Sequence, residues 1–371
     1  MSINKTTPID FSNSEIAFQS KAKRDLRETY LLFNVMNNAK LVKTGERLVN
    51  FAFAIHFPIE WFIKATIYKH FVGGTSINDC VATVNKLAER NVGSILDFAV
   101  EGEEDNALFD STAKEIIRTI EEAHDNKHIP FSAFKITGVG RFELLDKVSN
   151  GEPLTDEEKL DYERVRNRVD AIFKSGHEHD VPVLIDAEET WIQPVLDDIV
   201  LEMMEKYNKE KAIVQNTYQM YRHDSIERIK AHHKIAREKQ FKFGLKIVRG
   251  AYMEKERARA AQLDYPSPIQ PDKAATDRDF DEIIRYFVDN AEDIAFMVAT
   301  HNEDSSKLLA SLIEEKGLPK DHRNIFFAQL YGMSDHITYN LAERGYNVVK
   351  YVPYGEVRTM RPYLVRRAEE N

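Results

Sequence analysis

The amino-acid sequence predicts an α/β protein, a (β/α)8 barrel preceded by an all-helical segment. Three observations carry this. First, eight short apolar, β-branched runs follow residue 91: VGSILDFAV from Val92, PFSAFKITGVG from Pro130, VPVLIDAEE from Val181, AIVQNTYQMY from Ala212, KFGLKIVRGAY from Lys242, IAFMVATHN from Ile294, NIFFAQLYGM from Asn324 and NVVKYVPYG from Asn347. Their mean step is about 36 residues, a βα unit with room for insertions. Second, the runs are almost continuously apolar, as parallel strands covered on both faces must be. Third, the stretches between them, such as STAKEIIRTIEEAHDNK and EDSSKLLASLIEEKG, have helical period and open with capping residues. A final helix is expected from Glu356. A doubly wound open sheet is the alternative. No GxGxxG follows the first run and no GxxxxGK[ST] occurs, so neither a Rossmann site nor a phosphate-cradling loop is supported.

The segment before the runs reads as helices only. Thr75 or Ser76 can cap a helix running through Cys80 and Leu87 to Arg90. The expected division is therefore a helical region over 1–90 and a catalytic barrel over 91–371. The N-terminus has no apolar core and no small-residue cleavage site, so no secretory signal is expected. Residues 48–68 are the most apolar stretch, but Asn50, His56, Pro58, Glu60 and Lys64 interrupt it, which argues against a spanning helix. Two readings remain: a pair of buried helices broken near Pro58, or a surface that meets a membrane or a hydrophobic electron carrier.

Composition narrows the function. Lys and Arg number 51 against 61 Asp and Glu, a formal charge of −10, which argues against nucleic-acid binding. A content of 43% hydrophobic and 30% charged residues describes a soluble globular chain with ample core. The only cysteine, Cys80, excludes an internal disulfide and any cysteine-based metal cluster, and fits a reducing compartment.

Parallel barrels place their active sites at the C-terminal ends of the strands. Polar residues collect there: Asp97 and Glu101, then Lys135, then Asp186, Glu188 and Glu189, then Gln215, Asn216 and Gln219. Arg249-Gly250-Ala251-Tyr252, Thr300-His301-Asn302, Lys350-Tyr351 and, on the last helix, Arg366-Arg367 follow. Each also has an ordinary structural reading. Lys135 can pair with Asp97 or Asp186, and His301 can be a hydrogen-bonded core histidine. The Asp186-Glu188-Glu189 cluster can suit a divalent cation, but no partner set completes such a site and no metal is expected. Tyr363, Leu364 and Val365 precede the paired arginines and put one guanidinium near an apolar face, a fork that suits a carboxylate.

Five ordered motifs resemble the proline dehydrogenase family in its monofunctional form: KIVRGAYMEKERA (246–258), ATHN (299–302), QLYGM (329–333), KYVPYGEV (350–357) and PYLVRRAEEN (362–371). The resemblance runs from about Val92 to the C-terminus. It implies a distorted (β/α)8 barrel that holds FAD without a Rossmann fingerprint. It also implies oxidation of L-proline to 1-pyrroline-5-carboxylate by hydride transfer to flavin N5, with electrons passed to a membrane quinone. By position, Arg366 and Arg367 would hold the proline carboxylate, and Leu330, Tyr351 and Tyr363 would pack around its ring. Lys135 and Asp186 would lie beside flavin and substrate, with Tyr252 on the substrate side. Val248, Gly250, Ala251, Met253, Thr300, His301, Asn302, Arg367 and Glu370 would meet the flavin, and Glu101 would pair with Arg366 as a gate.

Some positions depart from the family pattern. Lys246 stands where relatives carry an arginine near N5; it keeps the charge and loses the planar fork. Relatives with QAY on the fourth strand place a flavin-contacting glutamine where this chain has Asn216, so Gln215 and Asn216 compete for that role. Hydroxyproline-oxidising relatives carry serine at the position of Tyr351. At 371 residues, no room is expected for the aldehyde dehydrogenase domain of bifunctional relatives.

These residues suit the implied reaction. The cofactor carries the hard chemistry, so the protein must orient substrate and exclude water. A cationic neighbourhood of Lys135, Arg366 and Arg367 would keep the substrate amine neutral. A Schiff-base aldolase with Lys135 as nucleophile and a non-enzymatic amino-acid-binding protein are the competing readings. The expected partners are L-proline, a quinone and a membrane surface, with no nucleic acid. The expected location is cytoplasmic, peripheral on the inner membrane.

Overall fold

Each of the eight runs forms a strand in the computed structural model, which describes residues 9–19, 23–36, 38–55, 57–98 and 105–369. They are β1 (Gly93–Phe98), β2 (Phe131–Lys135), β3 (Val183–Asp186), β4 (Val214–Gln219), β5 (Phe243–Val248), β6 (Ile294–Ala299), β7 (Ile325–Leu330) and β8 (Val348–Tyr354). The strands close into one barrel in chain order, all parallel.

Strand alternation divides the core in two. Ile95, Phe131, Ala133, Leu184, Met297, Ala328, Val349 and Tyr351 fill the barrel interior. Their neighbours, among them Leu96, Phe134, Ile185, Val214, Tyr218, Leu245, Val298, Phe327 and Val352, face outward and pack with the surrounding helices. The helices start where side chains satisfy their free amides. Asp105 caps Asn106–Asp125, Thr155 forms a capping box on Asp156–Glu178, and Asn302 caps Glu303–Glu315.

Three expectations are refined. Ser76, not Thr75, caps the helix Ile77–Ala88, because Thr75 donates its hydroxyl to Asp79. That helix stops before Arg90, and Asn91 turns into the left-handed region at φ 55°. The last helix is Arg361–Glu369 rather than starting at Glu356. Pro362 explains the later start: it lacks an amide hydrogen and is tolerated only in a first turn.

Before β1, the regular elements among the described residues are helices. The chain breaks between Ala39–Ala54 and Glu60–Ile63, around Pro58 as expected. Of the two readings, burial of the pair is the one that does not hold. Leu48, Phe51, Ile55 and Trp61 are exposed, Trp61 by 69%. The helix Ala39–Ala54 packs through Val49 and turns Leu41, Leu48, Phe51 and Ile55 outward in one stripe. Among the described residues, no helix is long and apolar enough to cross a membrane.

The packed side of these helices holds the end of the chain. Met36, Ile63, Tyr68, Phe71 and Val72 form a cluster with Val357, Met360, Tyr363 and Leu364. Tyr68 adds a polar staple, donating its hydroxyl toward the carbonyls of Gly74 at 2.7 Å and Gly355 at 2.6 Å. Phe71 is fully buried in this cluster. Phe71→Ala is expected to lower unfolding stability by about 3–5 kcal/mol, read from urea titration.

Candidate active site

Alternation turns Asp97, Lys135, Asp186, Lys246 and Tyr351 into the C-terminal mouth of the barrel. Asp186, the last residue of β3, is their hub. Lys246 Nζ lies 2.5 Å from Asp186 Oδ1 and Lys135 Nζ 3.3 Å from Oδ2. Tyr351 donates its hydroxyl to Oδ1 at 2.8 Å. Lys246 also sits 4.4 Å from the centre of the Tyr351 ring, a cation–π contact. Burial pushes the Asp186 carboxyl up, but Lys246, Lys135 and the tyrosine hydrogen bond overcome it and hold it at about 2. Burial, Asp186 and Asp97 push the Tyr351 phenol well above its usual value, so its proton stays on Oη.

A second set of bonds ties the strand ends together. Glu188, just past β3, accepts from the amide of Thr137 at 3.1 Å and from its hydroxyl at 2.7 Å. Gln219, the last residue of β4, donates to the Glu188 carbonyl at 2.7 Å and accepts from the Ala251 amide at 3.1 Å. The ends of β2, β3, β4 and β5 are thus linked in series.

On the fourth strand, Gln219 is the residue that stands at the mouth. Neither Gln215 nor Asn216 reaches the mouth. Gln215 points inward at the opposite end, donating to the Ala212 carbonyl and lining a cavity of about 290 Å³ with Pro130, Pro182 and Lys242. Asn216 has the other parity and points outward, where it donates to Asp197 on the helix Gln193–Tyr207. Counting parity from the strand's end would have selected Gln219, since positions 215, 217 and 219 share a face and only the last is at the top.

After β5, Gly250 takes φ 136°, and a Cβ there would lie 2.6 Å from the Tyr221 ring. Only glycine fits that path. Arg249 turns away, binding Asp277 at 2.7 Å, Thr300 Oγ1 at 2.6 Å and Ser305 Oγ at 3.0 Å. The hydroxyl of Thr300 and the carboxamide of Asn302, which caps a helix, therefore have local partners. His301 is exposed beside Ser334. Met253, 42% exposed, starts the helix Met253–Leu263 after a half-buried Tyr252. Val248 ends β5, and Leu330 borders the interior cluster. Lys350 points outward to Asp335 at 3.1 Å and to the carbonyls of Leu330 and Met333.

On the last helix, Tyr363 and Arg367 are buried, with the guanidinium 5.1 Å from the ring centre, while Arg366 is half-buried. Glu101 and Glu370 lie outside the described residues, and so does the Glu101–Arg366 gate. Among the described residues no three His, Cys, Asp or Glu side chains converge to hold a metal.

The model of the family described as proline dehydrogenase matches residues 80–371. The chain belongs to the proline dehydrogenase family. It is an oxidoreductase of that family, and this displaces the aldolase and binding-protein readings. Proline dehydrogenase 1, mitochondrial, of Dictyostelium discoideum is 31% identical over 98% of this chain and 71% of its own length. Hydroxyproline dehydrogenase of Xenopus laevis is 29% identical over 98% of this chain and 86% of its own. The crystal structure of proline utilization A from Bdellovibrio bacteriovorus, inactivated by N-propargylglycine, superposes with a TM-score of 0.82 at 20% identity. It covers 97% of this chain, which spans 41% of that protein, and the likeness is one of fold.

Asp186 generates a prediction for the proline dehydrogenase site. Its lowered ionisation contributes stability that is full above the usual carboxylate range and lost as pH falls toward 2. Asp186→Asn also strands two buried lysines. It is expected to lower stability by about 3–5 kcal/mol at neutral pH. The gap to the parent should close in acid, as read from urea unfolding across pH.

Proposed function

We propose that this chain oxidises L-proline to 1-pyrroline-5-carboxylate with FAD as resident cofactor and a quinone as electron acceptor. The observation that carries this reading is the cationic mouth: Lys135 and Lys246 set by Asp186 inside the barrel, with Arg367 of the last helix within electrostatic reach of His301 just past β6. The donor set fits a flavin. Cations and an amide suit its oxygen and nitrogen edge, and aromatic and aliphatic walls suit its ring. Lys246, Gln219, residues 248–251 and 300–302, and Arg367 would hold it. When bound, it supplies the two-electron acceptor.

The chain's own residues do the rest. Arg366 and Arg367 bind the carboxylate and fix which carbon faces the acceptor. Leu330, Tyr351 and Tyr363 grip a ring with no other handle and exclude water. The C–H next to the ring nitrogen leaves as hydride while the nitrogen lone pair forms the C=N bond, so the amine must be neutral. Lys135 and the two arginines favour that neutral form. Asp186, already accepting from Lys246, Lys135 and Tyr351, is a poor base, and the amine proton leaves to solvent.

A quinone dissolved in lipid requires that the chain meet a bilayer. The outward stripe Leu41, Leu48, Phe51 and Ile55, continued by Phe57, Trp61 and Phe62, supports this. So does local charge: residues 23–71 carry eight Lys and Arg against four Asp and Glu, in a chain of net charge −10.

The primary test is anaerobic addition of proline to the yellow protein. Bleaching of the flavin absorbance is expected; an unchanged spectrum defeats the reading. Arg367→Met is expected to raise the Michaelis constant for proline by about 10²-fold, since a charge-assisted bidentate contact is worth about 1.5–3 kcal/mol. Tyr351 should decide ring specificity, because a hydroxyl on the substrate ring would meet its side chain. A hydrophobic wall alone rejects an added hydroxyl by about 10²-fold at best. The parent should prefer proline to 4-hydroxyproline strongly, and Tyr351→Ser should lose part of that preference. The ratio of kcat/KM for the two substrates is the measure, because the serine also gives up the bond to Asp186 and lowers both values.

A further inference from the structure

We propose that Glu188 is a positioning residue for the reaction: its carboxylate latches the turn after β2 and so sets how Lys135 meets Asp186. The inference rests on the proline-oxidising reading and adds a residue to it. The β2–β3 ladder ends at the pair Lys135 and Asp186. Beyond that rung no backbone bond ties the two strands. Glu188 supplies the next rung with its side chain, taking both the amide and the hydroxyl of Thr137, two residues past Lys135.

The latch matters because Lys135 reaches Asp186 from the last rung of the β2–β3 ladder. Its Nζ lies 3.3 Å from the carboxylate, against 2.5 Å for Lys246. How that side chain approaches the carboxylate depends on the backbone that carries it. That backbone enters the 3-10 turn Ile136–Gly138, and Glu188 is what grips the turn. Glu188 is itself held from both sides. Its amide donates to Gln193 at 3.3 Å and its carbonyl accepts from Gln219. The carboxylate is 4% exposed as a residue and has no solvent-facing role.

The latch is also sensitive to pH. Burial raises the Glu188 carboxyl to about 7, against the opposing pull of the Thr137 bonds and Lys135. The charges that face it are Lys135 from β2 and Glu189 from its own loop, the latter neutralised by Lys255 from the helix Met253–Leu263. On the side of the helix Gln193–Tyr207, Asp197 is reached only through Gln193, and Asp186 lies two residues back. Above neutrality the latch is an ionised acceptor with charge-assisted bonds to Thr137. Below it, a protonated carboxyl holds the same turn more weakly.

Glu188→Gln separates this role from simple scaffolding. The amide can accept from the Thr137 N–H and donate to its hydroxyl, so the turn persists, but the charge is gone at every pH. Two readouts test the proposal. The Thr137 amide resonance, followed by NMR without substrate, should titrate with a midpoint near 7 in the parent and stay flat in Glu188→Gln. The ratio of kcat/KM for proline, parent over variant, should be close to one at about pH 6 and rise to about tenfold at about pH 8.5, the loss expected when a charged acceptor becomes neutral. The ratio cancels ionisations that both proteins share, including that of the substrate amine. Thr137→Val, which removes the hydroxyl and keeps the amide, should show a loss of the same pH direction and smaller size. A flat ratio across this range, or a Thr137 amide that does not move, overturns the proposal. Because the resonance needs no turnover, failure to oxidise proline at all would be read separately, as failure of the activity.

Discussion

Two lysines inside a parallel barrel are the constraint on which the rest of the mouth depends. An ammonium group removed from water costs several kcal/mol unless a counter-charge meets it. Asp186 is that counter-charge for both Lys135 and Lys246, and Tyr351 completes its shell. Three strands besides β3 thereby send a side chain to one carboxylate. The arrangement exists only because the strands are in register, with Lys135 beside Asp186 at the top of the β2–β3 ladder. A shift of one residue would send either partner to the outer face.

Around this hub the barrel is stiffened where its ladders end. Thr137, Glu188, Gln219 and Ala251 carry hydrogen bonds across four successive strand ends. Thr190 and the buried Glu256 repeat the device one layer out, with the amide and hydroxyl of Thr190 both donating at 2.7 Å. Such links let a site built on loops keep the precision of the strands below it. The positive charge of the mouth is also distributed by function. Lys246 is committed to the hub, Arg249 and Lys350 serve neighbouring helices and turns, and Arg366 and Arg367 stand on an element that arrives last in the chain.

That last element is held by the first. Tyr363, the residue of the last helix that lies under Arg367, packs in the same cluster as Phe71 and Met36. The N-terminal helices thus have two faces with different tasks. One supports the last helix, and the other presents an apolar stripe to the outside. The last helix and the outer apolar surface thereby belong to one structural unit.

The sequence by itself determined the eight strands, their order and most of the chemistry at their ends. Near-continuous β-branched runs separated by capped helical stretches admit little besides a parallel sheet covered on both faces, and the number of runs matches a closed barrel. It also determined the family, through motifs whose spacing survives in PYLVRRAEEN and KIVRGAYM. Local pattern could not assign direction. Parity separates Asn216 from Gln215 and Gln219, but where the strand ends, and so which glutamine stands at the mouth, is decided by the closed sheet. The apolar stretch 48–68 reads alike whether buried or exposed, because hydrophobicity says that a face needs a partner and not which face has found one. The role of Asp186 as a shared counter-ion, and the choice of Asp186 over Asp97 for the ion pair with Lys135, came from tertiary structure alone. Charges separated by 51 and 60 residues meet through strand register, and register is a property of the whole barrel.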